Sequence, residues 1–133
     1  MAMITTKVLK IIELLRSKTE SNQAIWNKSS GIAGFQLITQ NGSISIDNFY
    51  DEHENEEFIS FKIFNDNGEV IESFYVGSVT DKEEYNIMFD FYSTIRRKYL
   101  KVDETLDSFF NELSKDGVVG KEIKNSEIDD LTF

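Results

Sequence analysis

Residues 35–47 read Phe35-Gln36-Leu37-Ile38-Thr39-Gln40-Asn41-Gly42-Ser43-Ile44-Ser45-Ile46-Asp47, two alternating runs on either side of an Asn-Gly pair. Period-two patterning means a strand with one buried face. It sets Phe35, Leu37 and Thr39 against Gln36, Ile38 and Gln40, and it turns Ile44 and Ile46 inward. Asn-Gly is a strong two-residue hairpin signal, because a type I′ turn needs positive φ at both central positions. The stretch therefore predicts a hairpin with Asn41-Gly42 at its tip.

The same design recurs downstream. Phe58-Ile59-Ser60-Phe61-Lys62-Ile63-Phe64 alternates, Asn65-Asp66-Asn67-Gly68 supplies a second turn, and Glu69–Val76 pairs back. Two successive hairpins predict a four-stranded antiparallel meander. Ile59, Phe61 and Ile63 share its inner face, while Ser45, Ser60 and Lys62 suit a wet outer one.

Helices flank the strands. Val8, Ile11, Ile12 and Leu15 repeat at i, i+3, i+4, i+7, which predicts an amphipathic helix of about fifteen residues ended by the polar run Ser17–Gln23. Leu9 and Leu14 widen its apolar arc, so packing on two sides is expected. Trp26 is the only Trp, placed to close the core between this helix and the sheet. Downstream, Thr80-Asp81-Lys82-Glu83 matches a capping box with Thr80 as the cap. Beyond it, Tyr85, Tyr92, Tyr99, Leu106 and Leu113 recur every seven residues, with Met88, Ile95, Val102 and Phe109 between them. A single helix over 81–115 would be roughly 50 Å long; a break with Asp103 capping a second helix is the favoured reading. Gly117 marks the C-terminal cap. The predicted fold is α+β: an N-terminal helix, the four-stranded meander, and a C-terminal helix or helix pair packed on one sheet face. Residues 1–116 form a single domain in this reading. Residues 117–133 form a C-terminal tail of weak periodicity, either flexible or docked on the domain with Ile123, Ile128, Leu131 and Phe133 as anchors.

Composition narrows the chemistry. The chain has 133 residues, one domain's worth. Zero Cys excludes disulfides, thiolate metal sites and thiol nucleophiles, and a single His excludes multi-His centres and most triads. His53 stands among carboxylates without the spacing of a calcium loop, and reads as part of a solvated connector. Ser29-Ser30-Gly31-Ile32-Ala33-Gly34 is rich in small residues but lacks a P-loop Lys. No catalytic constellation, cofactor or metal is expected.

Net charge is −10, and residues 51–92 alone hold twelve acidic and two basic side chains. That is the reverse of a nucleic-acid footprint. It suits a protein partner with a basic surface, because an acidic patch speeds encounter. Asp51, Glu52, Glu54, Glu56 and Glu57 are the candidate partner-binding residues. Arg96, Arg97 and Lys98 form the only basic cluster and are the candidates for an anionic ligand such as a nucleotide. With no apolar run near the ~18 residues of a membrane span and no signal-peptide pattern, a cytoplasmic protein is expected. The terminal Glu127–Phe133 resembles in type the acidic, hydrophobic C-terminal tip of single-stranded-DNA-binding proteins. The resemblance covers seven residues and lacks the Pro usual before the last Phe; no OB-fold pattern accompanies it. The expected function is a small acidic, non-catalytic binding module acting through protein–protein contact, as inhibitors, immunity-type proteins and adaptors do. The alternative is a small-ligand or nucleotide binder using Arg96, Arg97 and Lys98. A homodimer through the Tyr85–Leu113 seam is compatible with the first reading.

Overall fold

A computed structural model describes residues 4–31 and 33–124. The chain divides into two compact units, Met1–Val102 and Asp103–Phe133, a boundary earlier than the 116/117 division expected from sequence. Ile128, Leu131, Phe133 and the Glu127–Phe133 motif lie outside the described residues.

The fold is α+β, with three helices and a five-stranded antiparallel sheet. In chain order the elements are α1 (Thr6–Glu20), β1 (Asn27–Lys28), β2 (Gly34–Thr39), β3 (Gly42–Asp51), β4 (Glu56–Asn65), β5 (Val70–Gly77), α2 (Lys82–Tyr99) and α3 (Val102–Leu113). The strands pair in sequence order. The strand not expected is β1, which pairs Asn27 with Gln36 and Lys28 with Phe35 at the free edge of β2. Two residues carry no readable period.

The first hairpin is real but its tip is shifted by one residue. Thr39 pairs with Gly42, so Gln40 and Asn41 make the loop and Gly42 begins β3. Gly42 has φ +152, and a Cβ there would overlap the Phe64 carbonyl oxygen of β4. Glycine is therefore required by the close approach of a neighbouring strand, not by a type I′ turn. In the β4–β5 hairpin, Gly68 N–H donates to the Asn65 carbonyl (3.0 Å) and Gly68 takes φ +80. The Asn65 side chain accepts from Asn67 and Glu69 N–H, and the register slips between Ile63 and Phe64. This is a turn followed by a left-handed bulge residue. The acidic connector is itself a turn: β3 runs on to Asp51, whose Oδ1 accepts from His53 and Glu54 N–H, and Asn55 adopts φ +54. The meander therefore contains three hairpins along β2–β5.

Alternation sends Phe35, Leu37, Ile46, Ile59, Phe61 and Val76 to one face, where they meet Met88, Phe91, Tyr92 and Ile95 of α2 and Val8 and Ile12 of α1. Ile59, Phe61, Phe91, Met88 and Ile95 are fully enclosed. Each such side chain contributes about 1.5–3 kcal/mol of burial. Trp26 lies in this core, its ring edge-on to Phe91 at 6.0 Å. Its Nε1–H donates to Thr19 Oγ1 (3.0 Å), and the Thr19 hydroxyl donates to the Leu15 carbonyl (2.7 Å). The polar run thus extends α1 to Glu20 and hides one useful hydroxyl. Leu14 is exposed, so α1 packs on one side only. Arg16 pairs with Asp90 and ties α1 to α2.

The long helix is broken, as favoured. Lys101 takes φ +54 between α2 and α3, and α3 starts at Val102, before Asp103. Met88, Tyr92 and Ile95 of the heptad series are used inside the core. In the second unit α3 buries none of its residues: Leu106, Phe109, Phe110 and Leu113 are all exposed. The helix ends at Leu113, ahead of Gly117. No helix among the described residues is long and apolar enough to cross a membrane.

Candidate functional site

Strand alternation also decides what the outer face of the sheet carries. Ser45, Lys62 and Ser60 point there, as expected, but so do Phe49, Phe58 and Tyr75, which lie beside one another on β3, β4 and β5. Phe49 stacks on Phe58 with centroids 5.4 Å apart, and Tyr75 meets Phe58 edge-on at 5.5 Å. Phe58 is covered by its neighbours, whereas Phe49 is 40% and Tyr75 62% exposed. This aromatic cluster stands apart from the main core.

The cluster floors a groove of about 660 Å³ near the β3–β4 turn and the β5–α2 junction. Asp51, Glu54, Glu56 and Asp81 line it, together with Thr80 and Ser73, and no Lys, Arg or His does. The β3–β4 hairpin contributes the first three acids, and the residue before α2 contributes the fourth. Four carboxylates with no lining cation make a strongly negative recess in which low-dielectric aromatic walls focus the field.

The two inner acids have different circumstances. Glu56 is 5% exposed. Its carboxylate accepts from Val79 N–H (2.7 Å), Thr80 N–H (2.6 Å) and the Thr80 hydroxyl (3.0 Å). The Thr80 backbone hydrogen bond, more than any other influence, holds its carboxyl below the ordinary carboxylate range, against opposing contributions from burial and the Asp81 charge. A Cβ on Gly77 would collide with Glu56, so glycine there leaves room for this carboxylate. Glu56 is thus a buried clasp on the β5–α2 connection rather than the exposed partner-binding residue that sequence suggested. The capping box does not form either, because Thr80 turns to Glu56 and leaves Asp81 as the residue preceding α2.

Asp81 is 8% exposed. Its Oδ2 accepts from Gly77 N–H (3.1 Å), and the side chain makes no capping bond to its own helix. Its Oδ1 is buried with no hydrogen-bond partner among the described residues. Asn48 Oδ1 and Glu84 Oε2 share that condition, but neither residue lines the groove.

Of the five acids nominated from sequence, the structure brings Asp51, Glu54 and Glu56 to the groove. Glu52 stays in the exposed turn beside His53. Glu57 falls on the opposite face by alternation, where its charge, after burial, helps push the Tyr85 hydroxyl's pKa above its ordinary value. Arg96, Arg97 and Lys98 occupy the last turn of α2, where cations oppose the negative end of the helix dipole; they do not line the groove. Ser29 closes its own loop by accepting from Gly31 N–H, while Ile32 lies outside the described residues. Groups of three or more metal-ligating side chains are absent among the described residues.

Sequence reasoning missed Phe49, Phe58, Tyr75 and Asp81. The readable signal was Phe58, which falls on the same side as Ser60 and Lys62 and so puts an aromatic on the wet face. Comparison with known proteins adds no relative: no family model, curated protein or solved structure matches this chain.

Proposed function

We propose that this chain is a small non-catalytic binding module that engages a protein partner through the outer face of its sheet. The groove bordered by Asp51 and Glu54 receives a basic segment of that partner. The observation that carries this reading is a recess lined by four carboxylates and no cation, with the Phe49 and Tyr75 rings exposed in it. Aromatics supply contact area at low entropic cost, and carboxylates set register and speed encounter. Inhibitors, immunity-type proteins and adaptors act in this manner, covering a basic surface without chemistry of their own.

The test is native mass spectrometry after incubation with lysate of the source organism, comparing the wild-type chain with a Phe49→Ala/Tyr75→Ala variant. A stoichiometric protein adduct that is lost in high salt and lost in the variant supports the reading. An adduct insensitive to salt and retained by the variant contradicts it.

A second reading is favoured by one observation, the exposed apolar stripe Leu106, Phe109, Phe110 and Leu113 on α3. That stripe supports self-association through α3, while the α2 part of the heptad seam serves the core.

A further inference from the structure

We infer that the partner's basic segment binds as an added β-strand, pairing its backbone with the free edge of β5 at Ser73 and Tyr75. The inference rests on the binding function proposed above and states how that segment is held.

Sheet pairing decides which backbone groups stay open. Among the described residues β5 has β4 on one side and no strand on the other. In an antiparallel pair, residues alternate between bonding across to the neighbour and pointing their N–H and C=O away from it. Ser78 N–H donates to the Glu57 carbonyl (2.9 Å), which fixes the phase. Counting back along the register, Gly77, Tyr75 and Ser73 turn both groups outward. Gly77 is already used: its N–H donates to Asp81 Oδ2 (3.1 Å), and its carbonyl accepts from Asp81 N–H (2.9 Å). Those two bonds close the edge at the start of α2. The backbone N–H and C=O of Ser73 and Tyr75 have no partner among the described residues.

Sheet edges are ordinarily blunted by shortness, Lys or Pro. The opposite edge follows that rule, since β1 is two residues long and carries Lys28. By contrast β5 runs for eight residues with neither Lys nor Pro, and Val70, Ile71 and Tyr75 are exposed along it. The groove reaches this open edge. Ser73, Phe74 and Tyr75 line it consecutively, although Phe74 stacks on Phe61 toward the core while its two neighbours face outward. A flat face would show only every second residue, so the recess wraps onto the rim of the strand.

Charge selects the occupant. A second copy pairing β5 with β5 would bring two acid-lined grooves and two Glu72 side chains to one seam, with no Lys or Arg on β5 or in the groove to offset them. A basic segment has no such conflict. Side chains opposite Ser73 and Tyr75 fall on the outer face, on the side of Asp51 and Glu54, and those between them fall on the side of Phe74. The first set is therefore basic and the second apolar. Backbone pairing supplies the affinity in this mode, and the alternate side chains supply the specificity.

The test is an amide-resolved NMR titration of the wild-type chain with acetyl-Lys-Val-Lys-Val-Lys-amide and two backbone-methylated analogues. One analogue is N-methylated at its lysines, whose N–H groups would face β5. The other is N-methylated at its valines, whose N–H groups would face away. The expected result is saturable shifts at Ser73, Phe74 and Tyr75 with the parent peptide, weakening as salt rises. The methyl-valine analogue should bind within about twofold of the parent, and the methyl-lysine analogue about tenfold or more weaker, the worth of two lost hydrogen bonds. Ser73→Pro removes one outward N–H at a sheet edge, where Pro is tolerated, and should abolish binding with the fold retained by circular dichroism. Should that variant fail to fold, the methylated pair still decides, because it reads the wild-type chain. No binding of the parent, equal affinities of the two analogues, the reverse order, or shifts that skip Ser73 and Tyr75 overturns the inference. If the parent binds beside Asp51 and Glu54 and both analogues match it, strand addition falls alone. If no peptide binds and the Phe49→Ala/Tyr75→Ala variant captures the same lysate adduct as wild type, the wider reading falls with it.

Discussion

Replacing Thr19 by Val keeps the side-chain volume and removes the acceptor for the single indole N–H. The structure makes the consequence calculable. Thr19 is 1% and Trp26 7% exposed, so no water replaces the missing oxygen. The Nε1–H then stands buried and unpaired, which costs about 2 kcal/mol, in the middle of the 1–3 kcal/mol range for such groups. With an unfolding entropy of about 2.1 cal/mol/K per residue over 133 residues, the melting temperature should fall by about 7 °C. In urea the midpoint should drop by about 1 M with an unchanged slope. Circular dichroism follows both, and Trp26 fluorescence reports the indole environment independently. Trp26→Phe removes the donor instead. A double-mutant cycle with Thr19→Val should show coupling of about 1 kcal/mol or more, because each single change leaves what the other would have excused. A cost for Thr19→Val below about 0.5 kcal/mol, or additivity within about 0.3 kcal/mol, would refute the hydrogen bond as the tie between α1 and the core.

Glu56 has a folded pKa below its ordinary value, so its contribution to stability is complete above the ordinary carboxylate range and is lost as pH falls through the lowered value. The difference in urea midpoint between wild type and Glu56→Gln should therefore shrink on acidification; a difference that grows would reverse the assignment. Two glycines with positive φ should respond unequally to alanine. Gly68→Ala meets open space and costs only the left-handed backbone penalty of about 1 kcal/mol, whereas Gly42→Ala also collides with the Phe64 carbonyl and should cost several times more in thermal melts. Leu106→Lys should leave the melting temperature within about 2 °C, since the residue is exposed and surface changes rarely exceed about 0.5 kcal/mol. It should also abolish any dimer seen by sedimentation velocity if α3 mediates self-association.

The meander and the helical break were legible because they rest on local rules. Ile44 and Ile46, or Phe61 and Ile63, announce a buried face by period alone, and turn residues mark where strands reverse. The short β1 was not legible, since two residues carry no alternation, even though Lys28 places its Nζ over the Phe35 ring of β2 at 5.0 Å. Turn residues misled where a neighbouring strand decided the matter: Gly42 reads as the second residue of a type I′ turn, yet it serves the close approach of Phe64 on the next strand, β4. Capping at Thr80 failed for the same reason, because Glu56, more than twenty residues earlier, competes for its hydroxyl. The acids at 51, 54 and 56 could be nominated from charge density. Their meeting with Asp81 and Tyr75 depends on the register of β4 against β5, which no local pattern encodes.

The central claim is that the outer sheet face is where a basic partner binds. An amide-resolved NMR titration with a short Arg-Gly repeat peptide tests it most directly. The account predicts shifts concentrated at Asp51, Glu54, Gly77, Thr80 and Asp81, diminishing as salt is raised. Shifts centred instead on Arg96–Lys98 or on the exposed stripe of α3, or no shifts at all, would contradict it.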